Sequence, residues 1–183
     1  DNLEVKVGDL KQYTINFKEL EVGEYDYDFK IDEAFFEHFE KSEIREGSLN
    51  LQVHLLKEER LITLEITMDG TVKVMCDRCL DNFDFPLEFS GKLYLDLSNA
   101  SEEDREDIIN ITEDQSDINL AQYFYESIHL SLPLKRVHPE DEEGNSTCNQ
   151  NMLDLIEQYK RGEGDDSIDP RWEKLRKLFV ERN

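Results

Sequence analysis

Cysteine is scarce in this chain, three among 183 residues, and an odd number cannot be paired off within one molecule. An oxidised scaffold is therefore the weakest reading, and a reducing compartment leaves the thiols free for metal binding or packing. Long apolar runs are missing too. No stretch of about 18 apolar residues could cross a bilayer, and no basic region followed by an apolar one opens the chain. The expectation is a soluble, cytoplasmic protein with no membrane partner. The sequence starts at Asp1 and not at a methionine, as a trimmed start would, so the expectation about leaders covers only what is shown. Positive charge is in short supply: 21 Lys and Arg stand against 44 Asp and Glu, a net charge of −23. Such a field repels phosphate backbones and attracts basic surfaces, which argues against broad, non-specific nucleic-acid binding by the whole molecule. Neither G-x-G-x-x-G nor G-x-x-x-x-G-K-[ST] occurs, so no phosphate loop is indicated. With so many acids, no carboxylate pair can be singled out for acid–base work, and no Ser/His/Asp order stands out. Nothing nominates an enzyme, a catalytic residue or a small-molecule substrate.

What is present is a period of two. Leu49, Leu51, Val53 and Leu55 alternate with polar residues, as do Ile62, Leu64, Ile66 and Met68, the pattern of strands with one buried and one wet face. Asp69-Gly70 reads as a two-residue hairpin turn. Val72, Val74 and Cys76 then share a face, as do Phe83, Phe85, Leu87 and Phe89, and Leu93, Leu95 and Leu97 follow. This predicts a four- or five-stranded meander over 46–97, in which Pro86 marks an edge or an interruption. Further extended pieces, Tyr25 to Lys30 among them, and a short helix over 33–39 precede it. The acidic run 102–117 reads as a solvated loop around a small strand at Ile108–Ile111; it lacks the spaced oxygens and central Gly of a calcium loop. Leu120, Phe124 and Ile128 fall at helical spacing before Pro133. Asp169-Pro170 is a good helix start.

The expected fold is α+β: an antiparallel β-meander of about five or more strands, barrel-like if it closes, covered by a helix at about 119–132, with a C-terminal helix at about 170–181. The expected organisation is a main domain over 1–137, an acidic, partly flexible segment over 138–168, and an amphipathic helix over 169–183.

Two cysteines stand together in Cys76-Asp77-Arg78-Cys79 at a hairpin tip. A Cys-x-x-Cys pair on a tight turn places two thiolates about 3.5–4 Å apart, which suits two vertices of a zinc tetrahedron. His138 and Cys148 are the remaining candidates, and with them the set would be three cysteines and one histidine. Unmetallated packing and turn residues are the open alternative. Thiol exchange is disfavoured, because strands flank the pair and Asp77 adds negative charge, whereas a redox pair wants a helix N-terminus. His54 lies on the wet face of a strand with no reason to approach Cys79 as a base, and His38 and His129 read as ordinary surface or boundary residues. Arg78 either meets a partner or offsets thiolate charge. Between Arg171 and Arg182 five bases and two acids are interleaved with aromatics. Arg171, Trp172, Lys174, Arg176 and Lys177 could hold RNA by phosphate contact and stacking, or form a helix that docks its Trp172 stripe and leaves the bases in solvent.

The string Val74-Met75-Cys76-Asp77-Arg78-Cys79-Leu80, the helix end Glu126 to Pro133, His138 five residues later and Asp169-Pro170-Arg171-Trp172-Glu173-Lys174-Leu175 resemble the YceD-type large ribosomal RNA subunit accumulation proteins, over roughly residues 10–181. The resemblance implies a role in synthesis, processing or stability of large-subunit (23S) ribosomal RNA, with no known enzymatic reaction. It also implies a metal half-site at the paired cysteines, which in many members a second cysteine cluster after the Leu-Pro helix completes. Here that second paired motif is missing, and His138 and Cys148 are what remain.

Charge and resemblance pull apart, since a chain at −23 approaches ribosomal RNA poorly by itself. The leading expectation is a non-catalytic ribosome-biogenesis factor that binds a basic protein partner, such as a ribosomal protein or assembly factor, with a limited RNA contact and with zinc as a candidate cofactor. Two other readings are a protein-interaction module unrelated to ribosomes and a metal-dependent RNA hydrolase. The latter needs an open coordination position with a bound water.

Overall fold

A strand buries every second side chain for as long as its parity holds, and parity sets the strand lengths here. The computed structural model describes residues 10–97, 108–112 and 114–162. It contains β1 (Thr14–Asn16), β2 (Gly23–Ile31), α1 (Glu33–Glu37), β3 (Gly47–Lys57), β4 (Leu61–Met75), β5 (Asn82–Asp96), β6 (Ile108–Asn110), β7 (Asp117–Asn119), α2 (Ala121–Leu130) and α3 (Gln150–Gly162). The sheet order is β2-β3-β4-β5-β6, antiparallel except for the short parallel β5–β6 pair, and β1 and β7 form a separate two-stranded ribbon. The fold is α+β, and among the described residues the sheet is open and does not close into a barrel.

Asp69-Gly70 is not a hairpin. β4 runs straight through it, because Ile62, Leu64, Ile66, Met68, Val72 and Val74 all have the same parity and are all buried. Gly70 serves close approach: a Cβ there would sit 2.2 Å from the Ser48 carbonyl oxygen and 2.9 Å from Leu49 Cα, at a φ of +148°. Likewise Phe83 to Leu95 is one strand, so residues 46–97 hold three long strands in place of the expected four or five.

The helix α2 covers the core. Asn119 Oδ1 accepts the Ala121 N–H at 3.0 Å, which satisfies one of the donors of its first turn. Its stripe of Leu120, Phe124 and Ile128 is fully buried. The Phe124 ring lies 5.7 Å from Phe29 and 6.1 Å from Tyr13, and Tyr125 stacks on Phe39 at 3.9 Å. Each buried aromatic of this kind contributes about 1.5–3 kcal/mol relative to exposure. The stretch 138–168, expected to be an acidic, partly flexible segment, contains a helix, α3. Its start is capped by Asn149 Oδ1, which accepts the Asn151 N–H at 3.1 Å.

The chain divides into two compact units, residues 1–77 with 82–136, and residues 78–81 with 137–183. The expected C-terminal helix, with Arg171, Trp172, Lys174, Arg176 and Lys177, lies outside the described residues, as do residues 98–107 of the acidic region. Among the described residues no helix is long and apolar enough to cross a membrane.

Candidate metal centre

β4 ends at Met75 and β5 starts at Asn82, so the six residues 76–81 make the connection. Leu80 reverses the chain at a φ of +63°, a left-handed conformation that costs a non-glycine residue roughly 1–2 kcal/mol. Cys76 and Cys79 are fully buried while Asp77, Arg78, Leu80 and Asp81 are exposed.

Every polar residue of this turn has an assigned partner. Asp77 donates its N–H to the Arg136 carbonyl at 2.7 Å, and its Oδ2 accepts the Arg136 N–H at 2.6 Å. The Arg136 guanidinium also lies 3.0 Å from Glu43 and 3.8 Å from Asp77 Oδ1. Arg78 donates to Ser146 Oγ at 3.3 Å, and that hydroxyl accepts the Cys148 N–H at 3.3 Å. Asp81 Oδ2 accepts from Asn149 Nδ2 at 2.9 Å. Arg78 is thus turned to a hydroxyl of its own chain.

His138 and Cys148, ten residues apart, are brought together by a small loop. Asp141 organises it: its carboxylate accepts the N–H groups of Glu143 at 3.0 Å and Asn145 at 2.7 Å. These backbone donors, Asn145 foremost, hold the Asp141 carboxyl below its usual range. Gly144 takes the left-handed position at φ +83° that lets the loop turn back. A bridge between Glu140 and Ser146, and a Thr147 hydroxyl donating to the Pro139 carbonyl at 2.6 Å, close its neck.

The result is a ligand set. Cys79 Sγ lies 3.5 Å from His138 Nδ1, and Cys148 Sγ lies 3.8 Å from the same nitrogen. With Cys76, at the start of the same turn as Cys79, the four ligand atoms all lie within 4.8 Å of one another. A tetrahedron with zinc–sulfur bonds near 2.3 Å has edges of about 3.5–3.8 Å, so the spacing fits one four-coordinate ion. Three thiols and an imidazole are a soft donor set, which suits zinc and not calcium or magnesium. The other histidines stand elsewhere. His38 and His129 each donate Nδ1–H to a helix carbonyl, of Ala34 at 2.7 Å and Tyr125 at 2.9 Å, and His54 meets Asp26 at 2.7 Å on the wet face of the sheet.

In the sheet unit, a groove of about 390 Å³ is lined by Glu43, Glu46, Lys73, Met75 and Arg136 among others. Lys73 pairs with Glu46 and Arg136 with Glu43, and the third cation of its lining, Arg45, donates to the Glu40 carbonyl at 3.1 Å.

The family model described as large ribosomal RNA subunit accumulation protein YceD matches residues 64–179. The chain belongs to this family. The matched region contains all four candidate ligands, and the family's description ties it to accumulation of the large-subunit ribosomal RNA. No curated protein and no solved structure matches the chain.

The four side chains that come together were readable as candidates because cysteine and histidine are rare here. What sequence reasoning missed was the means of assembly. Asp141-Glu-Glu-Gly144-Asn145 carries the signal, an Asp at the first turn position and a Gly where φ must be positive.

Proposed function

We propose that this protein is a non-catalytic factor in the synthesis, processing or stability of 23S ribosomal RNA, and that it acts in the cytoplasm through a basic protein partner such as a ribosomal protein or an assembly factor. Membership of the YceD family is the observation that carries this reading. Net charge of −23 favours a basic protein over bare RNA as the immediate partner. A limited RNA contact belongs to Arg171, Trp172, Lys174, Arg176 and Lys177.

In this reading Cys76, Cys79, His138 and Cys148 hold one structural zinc ion. Four protein ligands fill a zinc tetrahedron and leave no position for a water, which favours a structural role over a hydrolytic one. Arg78, Asp77 and Asp81 orient the ligand-bearing segments through the hydrogen bonds described above.

Depletion of the protein is expected to lower 23S ribosomal RNA relative to the small-subunit RNA, and a low-salt pull-down from the same cells to recover ribosomal proteins or pre-ribosomal particles. Unchanged 23S levels together with a pull-down empty of both would overturn the reading.

A further inference from the structure

The helix α3 buries only part of its apolar surface. Met152, Leu153 and Ile156 are half-buried, while Leu155 and Tyr159, four residues apart, are exposed. At helical spacing Met152, Leu155, Ile156 and Tyr159 fall on one stripe about 100° wide, the width of a face that packs against a neighbour. A groove of about 450 Å³ runs beside Leu155, and the described residues that line it with Leu155 are Asn151, Asp154, Glu157 and Gln158, all on α3. A single helix is convex and supplies one wall, so a groove beside it calls for another.

The sequence that follows α3 carries a matching stripe. Trp172, Leu175 and Phe179 recur at i, i+3 and i+7 after the Asp169-Pro170 helix start. Six residues, 163–168, lie between the end of α3 and Asp169, within the range of roughly two to eight that joins packed helices. The lengths agree as well: the 13 residues of α3 span about 20 Å, and a helix over 170–181 would span about 18 Å. Charge is complementary, since the groove wall carries Asp154 and Glu157 whereas five bases stand against two acids between Arg171 and Arg182. A segment on so short a tether has an effective concentration of about millimolar, which favours it over a second copy of the chain.

We propose that residues 170–181 form a helix that turns back antiparallel on α3 and covers its apolar stripe with Trp172, Leu175 and Phe179. In this helical hairpin Trp172 lies at the Tyr159 end of α3, Leu175 at mid-helix against Leu155, and Phe179 at the Met152 end. Arg171, Lys174, Arg176 and Lys177 occupy its flanks and outer face. The hairpin withdraws Trp172 from the RNA contact proposed above and leaves that contact to the four bases. It stands on the α3 surface and the tether, and does not depend on the ribosomal reading.

Trp172 is the one tryptophan of the sequence, so its fluorescence in the full chain reports the docking directly. Its emission is expected to be shifted to the blue of free tryptophan and protected from quenching by acrylamide, both unchanged on dilution of the protein. Leu155→Asp and Phe179→Ala are each expected to shift the emission to the red and abolish the protection. Phe179→Ala leaves the sequence of α3 intact, and so separates loss of docking from loss of that helix. Leu130→Asp, at an exposed leucine of α2, is expected to leave both signals as in the unsubstituted chain. A Trp172 as accessible as free tryptophan, protection that survives both Leu155→Asp and Phe179→Ala, or protection that vanishes on dilution and so marks a second copy as the occupant, would each overturn the proposal.

Discussion

The sheet unit and the unit built on the cysteine turn bury different materials. In the first, Phe35, Phe36, Phe124, Ile62, Leu64 and Leu95 are at most 1 % exposed and belong to one continuous apolar cluster. In the second, the buried members among the described residues are Cys79 and Cys148, while Leu155 and Tyr159 of α3 are 45 % and 75 % exposed. Apolar burial accounts for the sheet. It does not account for a small unit whose interior is its own thiols, and units of that kind need a metal or a disulfide to fold. No disulfide joins the three cysteines, so in the proposed reading the ligand set takes that place, and metal-binding free energy would then be folding free energy.

Substitutions can separate the two sources of stability. Cys148→Ser removes one of four ligands, and the expected outcome is loss of stoichiometric zinc with fast amide exchange over residues 137–159, while exchange in β3 to β5 stays slow. Phe124→Ala attacks the other unit. It is expected to cost the sheet about 3–5 kcal/mol in denaturant unfolding and to leave zinc content unchanged. Gly70→Ala is expected to cost about 1–3 kcal/mol, since its Cβ would press on backbone atoms of β3 at a positive φ. Asp141→Ala unties the loop between His138 and Cys148, and competition against a chelator is expected to show zinc affinity reduced roughly tenfold. A fall in zinc affinity in Phe124→Ala, or none in Asp141→Ala, would blur the contrast.

The smallest expected effect is a pH dependence on the wet face of the sheet. Asp26, hydrogen-bonded to His54, raises the histidine pKa above its ordinary value, helped by Glu24 and Glu65. The protonated form is therefore the stabilised one. Its contribution is complete below the ordinary value of about 6.5 and is lost as pH rises through the raised folded value. The denaturation midpoint of His54→Gln, followed across the neutral range, is expected to lack that decline.

Much of the sheet was legible in sequence because parity is a local signal, yet it was parity that was read too weakly at Asp69-Gly70. Positions 62 to 76 keep one face throughout, which a turn at 69–70 would have been free to break. The hairpin dipeptide prevailed in the sequence reading because local turn preference is visible in one chain segment, whereas the close approach of Ser48 that demands Gly70 comes from another strand. The α3 helix was missed for a related reason: its apolar face is thin, and the Asn149 cap is easily overlooked in a polar stretch. In the candidate metal centre, the residue types that cluster announced themselves, but the links that assemble them, Asp77 with Arg136, Arg78 with Ser146 and Asp81 with Asn149, use common polar residues whose pairing depends on the fold.

Hydrogen exchange on the full chain, recorded before and after zinc is stripped by a chelator at fixed pH, tests most directly whether the second unit is folded by its ligand set. The account predicts one equivalent of zinc in the purified protein. On its removal, protection should be lost over 137–159 and retained in β3 to β5. Undiminished protection of residues 137–159 in protein free of metal would contradict it.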